Sequence, residues 1–229
     1  MTTYPQSLKG WGFLFPTNLT SFLDFNLPEW QDKSAQAKSY YPVEGSRLGG
    51  LMTTHFQTRG YVHVYTGNGK GKTTAAFGLA LRAANAGFCV YICQFLKGRA
   101  TSECETLNFL PGNITLKQCG HSRFVDSTAP QKSDRDLAGF ALRESRAALT
   151  SGLYDMIILD EINVATLFQL IDVQDVLNLI AEKPPHTELV LTGLGASPEL
   201  IKVADLVTDM REVKHYYHDG VMARKGIEH

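Results

Sequence analysis

The sequence predicts an α/β fold: a mostly parallel sheet with helices on both faces, preceded by an N-terminal arm. Three observations predict it. From Gly60 onward, short apolar runs alternate with segments of helical period. Most of those runs are continuously apolar, as strands are when helices cover both faces of a parallel sheet. A glycine-rich turn joins the first run to the first helix, the junction at which open parallel sheets bind ligands. Residues 1–59 do not share the rhythm, so the chain divides into an arm (1–59) and one domain (60–229). With 229 residues, 44% of them hydrophobic, the chain can bury one substantial core.

In chain order the predicted strands are 61–66, 88–95, 114–119, 156–160, 188–192 and 206–210, and the predicted helices are 72–86, 133–150, 164–182 and 198–204. Ser133 and Asp134 supply a capping start, and Gly87 and Gly152 supply stops. Pro184-Pro185 ends a helix before its strand. The arm holds both tryptophans and ten of the 23 aromatic residues (Tyr4, Trp11, Phe13, Phe15, Phe22, Phe25, Trp30, Tyr40, Tyr41, Phe56). Disordered tails are poor in aromatics, so the arm is expected to pack on something. Two readings stand: a cover for the domain's own sheet, or a lid or partner-crossing arm near a site.

The chemistry is concentrated in Thr66-Gly67-Asn68-Gly69-Lys70-Gly71-Lys72-Thr73-Thr74, which follows the apolar run Tyr61 to Tyr65. Glycines at 67, 69 and 71 let successive backbone N–H groups turn inward around an anion. The helix starting near Lys72 adds its N-terminal dipole. Lys72 is placed to reach β- and γ-phosphates, its only evident partner, and the Thr73 hydroxyl to ligate Mg²⁺. This is a phosphate loop of the P-loop (RecA-like) α/β class. It departs from G-x-x-x-x-G-K-[ST] in having Thr66 at the first glycine position, with a second lysine, Lys70, inside the loop. Asp160-Glu161 ends the run Met156-Ile157-Ile158-Leu159, bringing hard oxygen donors to the same place. Glu161 is read as a direct ligand, with Asp160 holding a metal-bound water or the Thr73 hydroxyl. Gln94, Lys97 and Glu103 follow the second strand at the ligand edge, and Arg211, Lys214 and His215 form a basic cluster after the last strand.

A net charge of −1 gives no electrostatic case for nucleic acid or an anionic membrane. No apolar stretch approaches the ~20 residues that span a bilayer, and no export signal opens the chain. A cytoplasmic protein is expected. Cys89, Cys93, Cys104 and Cys119 lack metal spacing and read as reduced thiols, Cys89 and Cys93 within a buried strand.

Four blocks carry a resemblance. They are Val64 to Gly78, Gln94-Phe95-Leu96-Lys97-Gly98, Ile158-Leu159-Asp160-Glu161-Ile162-Asn163, and Leu191-Thr192-Gly193 continued by Ala204 to Arg211, Val213-Lys214-His215 and Arg224-Lys225-Gly226-Ile227-Glu228. In order and spacing the chain resembles the ATP:corrinoid adenosyltransferases of the cobalamin pathway over about 60–229. Thr66 is part of that family's form of the loop; residues 1–59 show no counterpart.

The resemblance implies that a four-coordinate Co(I) corrinoid attacks the 5′-carbon of ATP and releases triphosphate. The corrinoid would be cob(I)alamin or cobyrinic acid a,c-diamide, an electron-donating reductase would supply Co(I), and the protein would be a homodimer. Lys70, Lys72, Mg²⁺ (or Mn²⁺) and the loop amides would stabilise the leaving group. The resemblance also implies an aromatic residue below the corrin that expels the lower axial ligand. Phe124, within Cys119 to Val125, is the candidate, although the tryptophan that commonly follows it in the family is absent. His121 in the same stretch either contacts a ligand or is a surface-loop histidine without a role. Leu194 stands where the family usually has arginine. Two rivals share the fold: a phosphate-loop ATPase or nucleoside kinase, and a nucleotide-dependent switch that orders the arm around a partner.

Overall fold

A computed structural model describes residues 59–98, 112–123 and 125–228. The arm up to residue 58, Glu103, Cys104 and Phe124 lie outside the described residues. The elements are β1 (Val62–Thr66), α1 (Lys72–Asn85), β2 (Val90–Phe95), β3 (Ile114–Cys119), α2 (Lys132–Thr150), β4 (Met156–Asp160), α3 (Ile162–Leu167), α4 (Val173–Ala181), β5 (Glu188–Thr192), α5 (Pro198–Val203), β6 (Leu206–Asp209) and a 3₁₀ turn (Tyr216–Asp219).

All pairings described are parallel, and the strand order is β3-β2-β4-β5-β1-β6. The strands β2, β4 and β5 are buried throughout, which is why their sequences are continuously apolar rather than alternating. The sheet separates two cores. On one face Ala76, Phe77, Ala80, Ala83 and Ala84 of α1 pack on Val90, Ile92, Ile158 and Val190. On the other, Ala138, Ala141, Leu142 and Leu149 of α2, Val176 and Leu179 of α4 and Leu200 of α5 pack on Val64, Cys93, Phe95, Ile157, Leu159 and Leu191. Each such Leu or Ile contributes ~1.5–3 kcal/mol of transfer free energy on burial. Small alanines on α1 let that helix lie close to the strands, carrying its N-terminus to the sheet's carboxyl edge.

The predicted helix 164–182 is two helices. Gln169 adopts a left-handed backbone (φ 54°), which ends α3. Asp172 then starts α4, its side chain accepting from the Gln174 N–H at 2.9 Å, a new N-cap that a continuous apolar period conceals. The start of α2 also lies earlier than Ser133. Gln131 caps it, and the Asp134 carboxylate accepts from the Gln131 N–H at 2.9 Å, completing a capping box. Gly87 (φ 91°) and Gly152 (φ 71°) stop their helices as expected. Among the described cysteines, Cys89, Cys93 and Cys119 are free thiols.

Candidate active site

Three adjacent strand ends, those of β1, β5 and β4, and one helix start converge at the carboxyl edge of the sheet. Because β5 lies between β1 and β4, the phosphate loop after β1 faces the acidic pair after β4 across the end of β5. Thr192, the last residue of β5, fills that gap. Its hydroxyl donates to Asp160 Oδ1 at 2.7 Å and accepts from the Glu161 N–H at 3.1 Å. Thr73, in the first turn of α1, donates to the same Oδ1 at 2.9 Å. Asp160 Oδ2 accepts from Gln94 Nε2 at 3.0 Å and from Lys97 Nζ at 2.8 Å. Gln94 in turn accepts from Gln118 at 2.9 Å. Asp160 is fully buried, and these four donors, with Lys97 also its ion-pair partner, satisfy both of its oxygens where water cannot.

Glu161 is different. Its backbone is left-handed (φ 66°), a strained position for a residue with a Cβ, held by the Thr192 hydroxyl on its N–H. Burial raises its carboxyl pKa above the usual range. The Asp160 charge raises it further, while Lys97 and Lys72 oppose the shift. Leu96, beside Lys97, is also left-handed (φ 62°), so both chain turns that aim charged groups at this edge carry strain.

The phosphate loop is built on what runs beside it. The segment after β6 passes against the loop: the Met210 N–H donates to Thr66 O at 2.9 Å, the Gly69 N–H to Met210 O at 2.6 Å, and the Glu212 N–H to Asn68 Oδ1 at 3.0 Å. A Cβ at Gly67 (φ 97°) would lie 2.4 Å from Asp209 Oδ1 and Met210 O, and one at Gly69 2.7 Å from Met210 O. These two glycines are therefore required by close backbone approach as well as by loop curvature. Thr66, which replaces the usual glycine, has a task of its own: its hydroxyl accepts from the Ala196 N–H at 3.1 Å and ties the β5–α5 connection to the loop.

Lys72 Nζ donates to Gly67 O and Gly69 O, each at 2.7 Å, and so lies across the loop. Burial lowers its pKa, and Glu161 and then Asp160 push it back up. Phosphate is thus not its only partner. Lys70, in the same loop, is held by the tail: it donates to Ile227 O at 2.6 Å and to Glu228 Oε1 at 3.2 Å. Thr74 is exposed on the first turn of α1.

Of the basic cluster, Arg211 is paired with Asp209 at 2.8 Å, and His215 Nδ1 accepts from the Tyr217 N–H at 3.1 Å. Lys214 is exposed. The cluster therefore lies on the tail side of the phosphate loop, apart from Asp160 and Lys97. His121 Nε2 is 3.7 Å from Asp134, which Arg123 also contacts at 2.7 Å; this places the histidine at the start of α2. Thr192, Gln118 and the Met210 carbonyl were not anticipated as site components.

The family model for ATP:corrinoid adenosyltransferase BtuR/CobO/CobP matches residues 58–229. The chain belongs to that family. It is similar to the corrinoid adenosyltransferase of Sinorhizobium sp, 36% identical over 78% of this chain and 84% of the relative. It is likewise similar to the corrinoid adenosyltransferase CobA of Salmonella typhimurium (33%, over 76% and 87%) and to the corrinoid adenosyltransferase of Pseudomonas aeruginosa (35%, over 74% and 84%). The family match, which begins at residue 58, covers every site residue described above.

Proposed function

We propose that this adenosyltransferase-family chain transfers the 5′-deoxyadenosyl group of ATP to the Co(I) centre of a reduced corrinoid, releasing triphosphate. One observation carries the reading: the family match at 58–229 contains both the phosphate loop and the Asp160-centred network that faces it. In the reaction the cobalt electron pair forms the Co–C5′ bond while the C5′–O5′ bond breaks and its electrons leave with triphosphate. The protein then needs no nucleophile of its own. Its residues bind, orient and neutralise. The loop amides, Lys72 and Lys70 take the triphosphate, and charge growing on the α-phosphate side meets donors already fixed in place.

The donor chemistry fits Mg²⁺, with Mn²⁺ as substitute. Among the described residues no group of three or more His, Cys, Asp or Glu is placed to hold a metal, which suits an ion bound through one or two protein oxygens plus phosphates and waters. Both Asp160 oxygens are committed to other donors, which favours Asp160 as the group that holds Thr73. The Thr73 hydroxyl and the Glu161 carboxylate would hold the ion, which when bound neutralises charge on the leaving triphosphate.

Cob(I)alamin or cobyrinic acid a,c-diamide would be the acceptor, and a reductase would have to supply its electrons. Among the described residues no helix is long and apolar enough to cross a membrane; a cytoplasmic homodimer is the proposed working form. The test is incubation with ATP, Mg²⁺ and chemically reduced corrinoid, following the spectrum for a cobalt–carbon bond and analysing the released phosphate species. Triphosphate with the alkylated corrinoid spectrum supports the reading; ADP, the product of a kinase or ATPase, overturns it.

A further inference from the structure

The C-terminal segment returns to the phosphate loop at Lys70, and one carboxylate gathers most of the contacts there. Glu228 Oε1 accepts from Lys70 Nζ at 3.2 Å, from Arg224 Nη2 at 3.2 Å and from the Tyr216 hydroxyl. Its Oε2 accepts from the Arg224 N–H at 2.7 Å and from Arg224 Nε at 3.3 Å. The Arg224 guanidinium also lies 4.9 Å from the Tyr216 ring centroid, stacked over it. The neighbouring Ile227 carbonyl takes a second Lys70 N–H at 2.6 Å.

We propose that Glu228 is a positioning residue: held by Tyr216 and Arg224, it fixes the Lys70 ammonium beside the phosphate loop, ready for triphosphate. This rests on the reading above that Lys70 is a phosphate-binding group. An ammonium has three donors. The tail takes two of them, which orients the lysine and leaves one for a phosphate oxygen. A loop lysine on a flexible four-carbon stem would otherwise lose its rotamer freedom at the moment of binding. The tail has already ordered it. Charge also favours the arrangement, since one carboxylate is shared by two cations and the cluster keeps a surplus positive charge. The hydrogen bonds from Arg224, then Tyr216, hold the Glu228 pKa well below the ordinary carboxylate range, so the carboxylate stays ionised at any working pH.

The experiment is steady-state kinetics of the full chain with ATP as the varied substrate, for wild type, Glu228→Gln, Glu228→Asp, Lys70→Ala and the double variant Lys70→Ala/Glu228→Gln. The expected result is a KM for ATP raised about tenfold in Glu228→Gln, equivalent to one lost charge-assisted contact, with kcat nearly unchanged and partial recovery in Glu228→Asp. Lys70→Ala should raise KM at least as far, and adding Glu228→Gln to it should change nothing more. Should Glu228→Gln unfold the tail outright, Tyr216→Phe, which removes one holder of the carboxylate, is expected to show the same KM effect in milder form. A wild-type KM in Glu228→Gln, or additive effects in the double variant, would overturn the positioning role and leave the phosphate reading standing. An unchanged KM in Lys70→Ala would overturn both.

Discussion

Asp160 and Glu161 are adjacent carboxylates in opposite situations. The first has four donors and no exposure; the second is pushed toward its neutral form by burial and by the first. A carboxyl whose folded pKa is raised costs stability when ionised, and that cost is relieved as pH falls through the raised value toward the ordinary ~4.3. Glu161→Gln is therefore expected to raise the melting temperature of the metal-free protein at neutral pH, with the advantage over wild type disappearing toward pH ~4. The same variant should weaken the dependence of activity on Mg²⁺. Melting curves across pH and a metal titration check both; an unchanged metal dependence would remove Glu161 as a ligand. Lys72→Ala should abolish ATP binding or turnover. Its two bonds to Gly67 O and Gly69 O make the accompanying stability loss about 1 kcal/mol, more than the ~0.5 kcal/mol of an ordinary exposed lysine. Retained ATP binding would refute the phosphate-loop assignment.

At the scale of elements, the end of β5 holds the two halves of the site together. Thr192→Val keeps the strand's shape but leaves the Glu161 N–H without its acceptor and Asp160 Oδ1 with one donor instead of two. A loss of roughly 1–3 kcal/mol is expected, together with a fall in kcat as the strained Glu161 turn relaxes. Wild-type melting and turnover would show that Thr192 only fills space. All six strands were legible in the sequence: β2, β4 and β5 because burial on both faces wrote them as mostly apolar runs, and the less buried β1, β3 and β6 through their place in the strand–helix alternation. The loop and acidic pair were legible because phosphate and metal demand particular residue types. What escaped was interaction through space. A threonine at a strand end looks like any β-former, and nothing in its neighbourhood along the chain names Asp160, 32 residues away. The break between α3 and α4 was hidden because apolar residues on both sides keep helical spacing through Gln169, although Asp172 was a visible N-cap. Lys70 read as a loop residue for phosphate because its tail partner lies 158 positions on.

For the whole molecule, the question is what encloses the second substrate. A corrin is a large, flat, partly apolar macrocycle, and a strongly reducing cobalt centre must be kept from water. The groups gathered at the sheet's edge are polar and charged, suited to triphosphate and metal. The family match begins at residue 58, while residues 1–59 hold ten of the 23 aromatics and both tryptophans. Aromatic side chains offer large rigid surface at small entropic cost, the kind a flat macrocycle needs. We propose that the arm serves turnover of the corrinoid rather than the stability of the domain at 60–229, on its aromatic composition. Deleting residues 1–50 tests this. If the arm serves the corrinoid, the truncated protein keeps its melting temperature and its affinity for ATP but loses turnover of reduced corrinoid. If it serves the fold, melting temperature falls and every activity falls with it. Full corrinoid turnover in the truncated protein would show that residues 51–229 suffice for the reaction and would sink the proposal.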